Sequence, residues 1–215
     1  MLLRLDGTAA AHPVLGMLDV KVHPGDRICL LGPSGIGKTT LLNAIAGLDP
    51  LLRPQSATRR VGYLFQEHRL LPWRTVRQNL ELVGATGAEI DCLLMEVGLA
   101  EAGNRLPDQL SLGMARRAAL ARSLAVKPDL LLLDEPFASL DPDRAAELRA
   151  LILRLLAAHP EMAMICVTHD AGDADQLANR LWYLDGRPAT LQWDRPLVPG
   201  TSASRISEQL RLLST

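Results

Sequence analysis

Five short runs of apolar residues predict β-strands, and the stretches between them carry the spacing of helices. The runs are nearly continuous rather than alternating, which is typical of strands buried on both faces of a parallel sheet. Between them, apolar residues recur every three or four positions, as on one face of a helix. We therefore predict an α/β fold with helices packed on a mostly parallel sheet. The predicted strands are 28–31, 61–65, 130–133, 164–168 and 181–184, and the predicted helices are 39–46, 76–83, 90–97, 113–125, 143–158 and 173–179.

The order of these elements indicates a core with an inserted lobe. Residues 66–109 contain no strand-like run, so a helical lobe at about 67–127 is predicted between the core segments 1–66 and 128–186. A tail, 187–215, completes a single domain. Its first part, up to Gly200, holds three prolines and little periodicity, and a short amphipathic helix is predicted at 205–213.

Composition and charge narrow the classes of function. The net charge of −1 gives no electrostatic footprint for nucleic acid or for a lipid surface, and aromatic residues make up only 3% of the chain. The cysteines, Cys29, Cys92 and Cys166, lack C-x-x-C spacing, so no disulfide framework or metal site is expected, as in a reducing cytoplasm. Since no apolar run reaches about 18 residues, we do not expect the chain to cross a membrane by itself.

The most informative motif is GPSGIGKTT, from Gly32 to Thr40, which fits the pattern G-x-x-x-x-G-K-[ST] and directly follows the predicted strand 28–31. Its backbone N–H groups would form an anion nest at a helix N-terminus. Lys38 would reach the β- and γ-phosphates, and the Thr39 hydroxyl would ligate Mg²⁺. The sequence therefore predicts binding of a nucleoside triphosphate. The predicted binding residues of this loop are Gly32, Pro33, Ser34, Gly35, Gly37, Lys38, Thr39 and Thr40.

Two adjacent carboxylates follow four leucines at the end of the predicted strand 130–133. Asp134 would hold Mg²⁺, mostly through water, and Glu135 would polarise the water that attacks the γ-phosphate. A surface turn after a strand would explain one acid at this place but not an adjacent pair.

With these residues and four further motifs, the chain resembles the ATP-binding subunit of ATP-binding cassette (ABC) transporters over roughly residues 14–186. The pieces stand in the order that the family has. After the glycine-rich loop (P-loop) come YLFQ ending at Gln66, LSLGM at 110–114 in the place of the signature motif, LLLLDEP with Asp134 and Glu135, SLD ending at Asp141, and VTHD with His169.

The resemblance implies a P-loop NTPase core, ATP as the nucleotide, and roles for the later motifs. Gln66 would contact Mg²⁺ and the attacking water and would sense the membrane partner, and His169 would contact the γ-phosphate. Phosphoryl transfer needs such positioning and charge stabilisation more than covalent chemistry. The expected catalytic residues are Glu135, His169, Gln66 and Lys38, and the expected metal ligands are Thr39, Gln66 and Asp134.

The resemblance also implies a homodimer in which two copies stack head to tail around two ATP molecules. Ser111 and the N–H of Gly113, at a helix N-terminus, would bind the γ-phosphate of ATP held by the opposite copy. Asp141 belongs to the same set of nucleotide-binding residues. Ser111 is also a good helix N-cap, which is its alternative role.

Three features depart from the family's pattern. Leu112 stands where the signature usually has glycine, and its branched side chain could crowd a phosphate, so we expect a weakened composite site. Upstream of the P-loop, where the family stacks an aromatic residue on adenine, His12 is the only ring in GTAAAHPVLG. The short connection between Lys38 and Gln66 implies a shortened antiparallel β-lobe.

The segment HRLLPWRTVRQNL, residues 68–80, resembles bacterial importers of the nitrate, sulfonate and taurine type. Permease subunits would then dock near residues 66–80, with a periplasmic or extracellular solute-binding protein completing the complex. The ATPase itself would be cytoplasmic and held on the inner face of the membrane by the permease. Leu70, Leu71 and Trp73 could equally be core residues of the lobe. Two other functions stay open: a soluble ABC-type ATPase not coupled to transport, and a P-loop kinase for a small metabolite.

Overall fold

A computed structural model of the chain describes residues 1–7, 12–52, 54, 60–197 and 208. They belong to two compact units, Met1–Thr58 with Pro160–Thr215 and Arg59–His159. The predicted helix at 205–213 lies outside the described residues except for Glu208, and so does much of the short connection at 49–60. The predicted division into core, lobe and tail stays a prediction.

The first unit is built around β3 (Arg27–Leu31), in which Ile28, Cys29 and Leu30 are fully buried. β3 pairs in parallel with β6 (Ala163–Val167) and with β7 (Arg180–Asp185), and β7 also pairs antiparallel with β8 (Thr190–Pro196). Strands covered on both faces need apolar residues at successive positions, which is why these runs are continuous. Helix α1 (Lys38–Ile45) follows β3, and helix α6 (Ala171–Leu177) follows β6.

Three strands of the first unit escape prediction from apolar runs. β1 (Leu3–Gly7) and β2 (Leu18–Val22) form an antiparallel pair, and β2 alternates strictly between buried and exposed residues. That alternation, in LDVKV, is the period-2 signal of a strand covered on one face. β8 lies in the proline-bearing stretch 186–200, and each of its residues is half-exposed or exposed, so it needs no run of apolar side chains.

The second unit contains β4 (Val61–Leu64) and β5 (Leu130–Asp134), which pair in parallel. As predicted, the segment that joins them is helical. α5 follows β5 and begins at Pro142, just after its N-cap Asp141, where proline's missing N–H costs nothing. The helices are α2 (Val76–Glu81), α3 (Gly87–Glu96), α4 (Leu112–Ala125) and α5 (Pro142–Ala158), with single 3₁₀ turns at Ala100–Ala102 and Pro107–Gln109.

The predicted α/β class, with mostly parallel strands and flanking helices, is confirmed. The five predicted strands appear within one residue of their expected ends, and the six helices within three. α3 starts three residues early because Thr86 and Glu89 form a capping box in front of it. Among the described residues, no helix is both long and apolar enough to span a bilayer.

Candidate nucleotide site

The P-loop is shaped by glycines that no other residue could replace without strain. Gly32 (φ +152°) and Gly37 (φ +113°) both adopt backbone conformations that side chains disfavour. A Cβ on Gly32 would lie 2.3 Å from the Leu184 carbonyl oxygen, and one on Gly37 would lie 2.7 Å from Cγ1 of Val14. The backbone of the loop therefore passes too close to Leu184 and Val14 to leave room for a side chain at either position.

Lys38 is the first residue of α1, and its side chain folds back over the loop. Its Nζ donates hydrogen bonds to the carbonyl oxygens of Gly32 (2.8 Å) and Pro33 (2.9 Å), and the residue is only 7% exposed. Residues 33–35 and Thr39 are exposed, and the first turn of α1 holds no acidic residue. A positive ammonium group and a helix N-terminus thus stand beside an accessible loop, which favours an anion.

His169 follows β6 at the edge of the sheet where the P-loop follows β3. Leu30 of β3 is paired with Val167 of β6. Gly32 lies two residues after Leu30, and His169 lies two residues after Val167. Thr168 fixes the turn: its hydroxyl donates to Asp173 Oδ2 (2.6 Å) and accepts from the Asp170 N–H (3.1 Å). His169 itself is exposed at this edge.

His12 is a buried residue whose ring makes hydrogen bonds to the backbone at residues 14 and 15 and to Asp49. The N–H groups of Val14 and Leu15 donate to its Nδ1 (3.1 and 3.0 Å), so Nε2 carries the proton and lies 3.1 Å from Asp49 Oδ2. Although burial acts in the opposite direction, hydrogen bonds from the Leu51 amide and from His12 lower the pKa of Asp49. The ring is thus engaged at both nitrogens, and its stacking on adenine stays a prediction.

In the second unit, Asp134 ends β5 and Glu135 begins the following turn. Asp134 is only 2% exposed. The pKa of Tyr63, on the neighbouring strand β4, is raised by the burial of the tyrosine itself and by the negative charge of Asp134. Glu135 has φ +46°, a left-handed conformation that costs a non-glycine residue about 1–2 kcal/mol. Such strain tends to persist where the surrounding structure fixes it.

Arg116 of α4 supplies that fixation, and sequence reasoning missed it. Its guanidinium donates to the backbone carbonyl oxygens of Gln66, Glu135, Pro136 and Ala138, at 2.6 to 3.1 Å. Two predicted catalytic residues are thereby held by one side chain. In the sequence, Arg116 was one basic residue in an alanine-rich helix, with no spacing to mark it.

The signature residues lie at the start of α4, where Ser111 is the N-cap. Its hydroxyl accepts from the Met114 N–H at 3.3 Å. Leu112 is 45% exposed, and a Cβ on Gly113 would meet only Cδ of Arg144, at an ordinary 3.7 Å. The fold of this chain therefore does not itself require glycine at position 113.

Asp141 is the N-cap of α5, as Ser111 is of α4. Its carboxylate accepts from the Arg144 N–H (3.0 Å) and lies 3.2 Å from the Arg144 Nε. Ser111 and Asp141 thus both cap helices in this chain, which is the ordinary role of such residues.

The segment after Gln66 is held by a buried amide. Asn79, fully buried, accepts from the Leu71 N–H (2.8 Å) and donates to the carbonyl oxygens of residues 71, 74 and 75. Leu70 is buried, as a core residue would be, whereas Trp73 is 70% exposed. The segment thus presents one large aromatic side chain on a loop that Asn79 anchors through hydrogen bonds.

The residues predicted for Mg²⁺ suit that ion. Thr39, Gln66 and Asp134 offer a hydroxyl, an amide and a carboxylate oxygen. Mg²⁺ keeps several waters and takes one or two protein oxygens together with substrate phosphates. The part of the chain that the structure describes holds no group of three or more His, Cys, Asp or Glu that could bind a metal, and such a nucleotide-borne ion needs none.

The fold and these residues define a P-loop nucleotide-binding protein, and the comparison with known proteins identifies its family. The family described as ABC transporter matches residues 15–138. The chain belongs to the ABC transporter family, as its ATP-binding subunit. An ATPase of the importer type was predicted from the motifs, and that prediction is confirmed.

Two curated relatives and two solved structures illustrate the match. An aliphatic sulfonates import ATP-binding protein of Pseudomonas syringae pv. tomato is 39% identical, with 94% of this chain and 90% of the relative covered. One of Paraburkholderia xenovorans is 45% identical, with 95% and 84% covered. The cassette MJ0796, a dimer in a post-hydrolysis state bound to ADP and Pi, has a TM-score of 0.74 at 25% identity, with 91% and 99% covered. CbiO1 from Clostridium perfringens shares the fold, with a TM-score of 0.78 at 19% identity and 98% and 94% covered.

The activity and cofactors predicted from the sequence are confirmed with the family. The protein binds ATP with Mg²⁺ as the partner ion and hydrolyses it. Nothing in these comparisons favours the soluble ATPase or the metabolite kinase that the sequence left open.

Proposed function

We propose that this ATPase powers the import of an aliphatic sulfonate. The observation that carries the proposal is the extent of the match to aliphatic sulfonates import proteins, which runs over nearly the whole chain. ATP binding and hydrolysis would bias a permease between its two facing states. Since the ATPase subunit never touches the cargo, the substrate class rests on these relatives alone.

For the chemistry, we propose that the P-loop amides and Lys38 bind the phosphates. The hydrogen bonds from Lys38 Nζ to the loop carbonyl oxygens keep the ammonium beside the loop before nucleotide arrives. When bound, Mg²⁺ would neutralise charge on the β- and γ-phosphates, with Thr39, Gln66 and Asp134 as its ligands.

We propose that Glu135 takes a proton from the attacking water, while His169 contacts the γ-phosphate. A positioned carboxylate of this kind contributes about 10²–10⁴-fold to a rate. The exposed His169 stands at the carboxyl edge of the strands from which the P-loop also leaves. Charge on the transferred phosphoryl group would be stabilised by these fixed donors rather than by covalent chemistry.

The composite site would need a second copy of the chain. Ser111 and the N–H of Gly113 would then contact the ATP bound to the opposite copy, and Asp141 would lie in the same interface. Two observations support this: the dimeric state of MJ0796, and the room for a Cβ at Gly113, which leaves the glycine without a reason inside one chain.

The membrane partner would be a pair of permease subunits that dock near residues 66–80, at the inner face of the membrane. Trp73 supports this, because an indole 70% exposed on a loop fixed by Asn79 is a typical interface anchor. A solute-binding protein outside the membrane would deliver the sulfonate.

The test is to purify the chain with its permease subunits, reconstitute the complex with the solute-binding protein, and measure ATPase activity. We expect ethanesulfonate to stimulate the rate and nitrate to leave it unchanged. The matched control is the same complex with Glu135→Gln, which should show no stimulated rate. Stimulation by nitrate alone, or transfer of phosphate to an added metabolite, would contradict the proposal.

A further inference from the structure

Arg116 joins two loops that are far apart in the sequence. One Nη atom of the guanidinium donates to the Gln66 carbonyl oxygen (3.0 Å), at the start of the loop after β4. The other donates to the carbonyl oxygens of Glu135 (3.1 Å), Pro136 (2.6 Å) and Ala138 (3.0 Å), along the turn after β5. Each of these loops carries a residue with a proposed role in hydrolysis.

The Arg116 guanidinium is a buried cation, so its hydrogen bonds must offset the free-energy cost of removing its charge from water. Arg116 is only 6% exposed, and burial lowers the pKa of its guanidinium. A buried charge costs several kcal/mol unless its donors are satisfied, and here the acceptors are four backbone carbonyl oxygens. Arginine suits this arrangement because its planar fork of five N–H donors can reach several acceptors in fixed directions.

The turn that Arg116 holds is the strained one. Glu135 has φ +46° and Ser139 has φ +62°, so two non-glycine residues within five positions adopt left-handed conformations. A carbonyl oxygen that accepts a charged hydrogen bond cannot rotate freely, since rotation would leave a buried donor unpaired. The bonds to residues 135, 136 and 138 therefore fix the direction in which the Glu135 side chain leaves the backbone.

A second arginine of α4 shows what the contacts of Arg116 add. Arg122 donates to the carbonyl oxygens of His68 (3.1 Å) and Arg69 (2.7 Å), which lie in the loop after β4 only. Both arginines thus anchor that loop to α4. Of the two, only Arg116 also holds the turn that bears Glu135, and it does so from the helix that begins with Ser111.

We propose that Arg116 is a positioning residue for ATP hydrolysis, which holds Gln66 and Glu135 in the geometry needed for attack on the γ-phosphate. This inference rests on the proposed roles of Gln66 and Glu135. Arg116 acts through the backbone of the two loops, and the four carbonyl oxygens to which it donates lie in the second unit, whereas the P-loop belongs to the first. Its loss should therefore lower kcat and leave the binding of ATP nearly unchanged.

The experiment measures kcat, the KM for ATP and Tm for the full chain and three variants. Arg116→Gln removes the charge and most of the donors, and Arg116→Lys keeps the charge but loses the fork. Arg117→Gln is the matched control, because Arg117 is the next residue of α4 and pairs with Glu147 on the surface. We expect Arg116→Gln to lower kcat by about tenfold or more with KM within about twofold, which is the signature of an interaction made in the transition state.

Arg116→Lys should give an intermediate kcat, and Arg117→Gln should stay within about twofold of the parent in both constants. If Arg116→Gln does not fold, the lysine variant decides by the same split between kcat and KM. An unchanged kcat in Arg116→Gln, full rescue by lysine, or a rise in KM alone would overturn the inference. A parent protein that shows no Mg²⁺-dependent ATPase activity even when assembled with its permease would instead overturn the proposed function.

Discussion

Leu30 of β3 lies opposite Val167 of β6 in parallel register. Because the two strands run in the same direction, both reach the same edge of the sheet, and two residues later they deliver Gly32 and His169. Ligands of open α/β sheets bind at this carboxyl edge. The register thus places a loop near the start of the chain and a histidine far along it at one edge of the sheet, as the proposed role of His169 at the γ-phosphate requires.

The P-loop glycines offer a graded test of local strain. Gly32→Ala places a Cβ 2.3 Å from a backbone carbonyl oxygen of Leu184, which cannot move without disturbing β7. Gly35→Ala meets nothing within 4 Å and adds only the left-handed penalty of about 1–2 kcal/mol. We expect thermal unfolding to show a clearly larger fall in Tm for Gly32→Ala. Equal falls in the two variants would show that the close approach to Leu184 has no energetic consequence.

Much of this arrangement could be predicted from the sequence because buried parallel strands need continuous apolar runs. β5, with four leucines before Asp134, is buried at every position and appears where its pattern places it. β8 could not be found in the same way, since an antiparallel strand without a buried residue carries no such run. β2 carries a different signal, a strict alternation of buried and exposed residues, which a search for continuous apolar runs does not detect.

A substitution at Gly113 distinguishes a role of this glycine in folding from a role in the composite ATP site. Alanine has room there, and replacing a helical glycine gains about 0.5–1 kcal/mol. We therefore expect Gly113→Ala to keep or raise the stability of the chain. If phosphate of the opposite copy must approach this backbone closely, the same variant should lower the ATPase rate of the assembled complex by about tenfold or more. A stable variant with the parent rate would argue against the composite site.

At Leu112 a side chain is removed from the signature segment, whereas at Gly113 one is added. It is the first residue of α4 and 45% exposed, so its side chain stands at the face where the composite site is proposed. Leu112→Gly should cost less than about 1 kcal/mol of stability, because that penalty applies to glycine in a helix interior and Leu112 is the first helical residue. The ATPase rate of the assembled complex should rise by about two- to fivefold if the leucine crowds the phosphate. A rate equal to that of the parent would show that Leu112 does not weaken the site.

The contacts that sequence reasoning could not reach are those between a side chain and a distant backbone. Arg116 binds carbonyl oxygens of residues 66, 135, 136 and 138, and no residue type or spacing marks a carbonyl as its acceptor. His12 is similar: its hydrogen bonds to Asp49 and to the Val14 and Leu15 amides depend on how the chain folds back before β2. Motifs identify residues that touch a ligand, whereas the residues that hold them in place become visible only in three dimensions.

The central claim, that Glu135 activates the water in a Mg²⁺-dependent ATPase, is tested most directly by comparing the full chain with Glu135→Gln. Phosphate release and the dissociation constant for MgATP should be measured on the same preparations. We expect the variant to bind MgATP with a dissociation constant within about twofold of the parent. Its rate of phosphate release should be at least about 100-fold lower, as for loss of a general base. A Glu135→Gln variant that hydrolyses ATP at the parent rate would contradict the account.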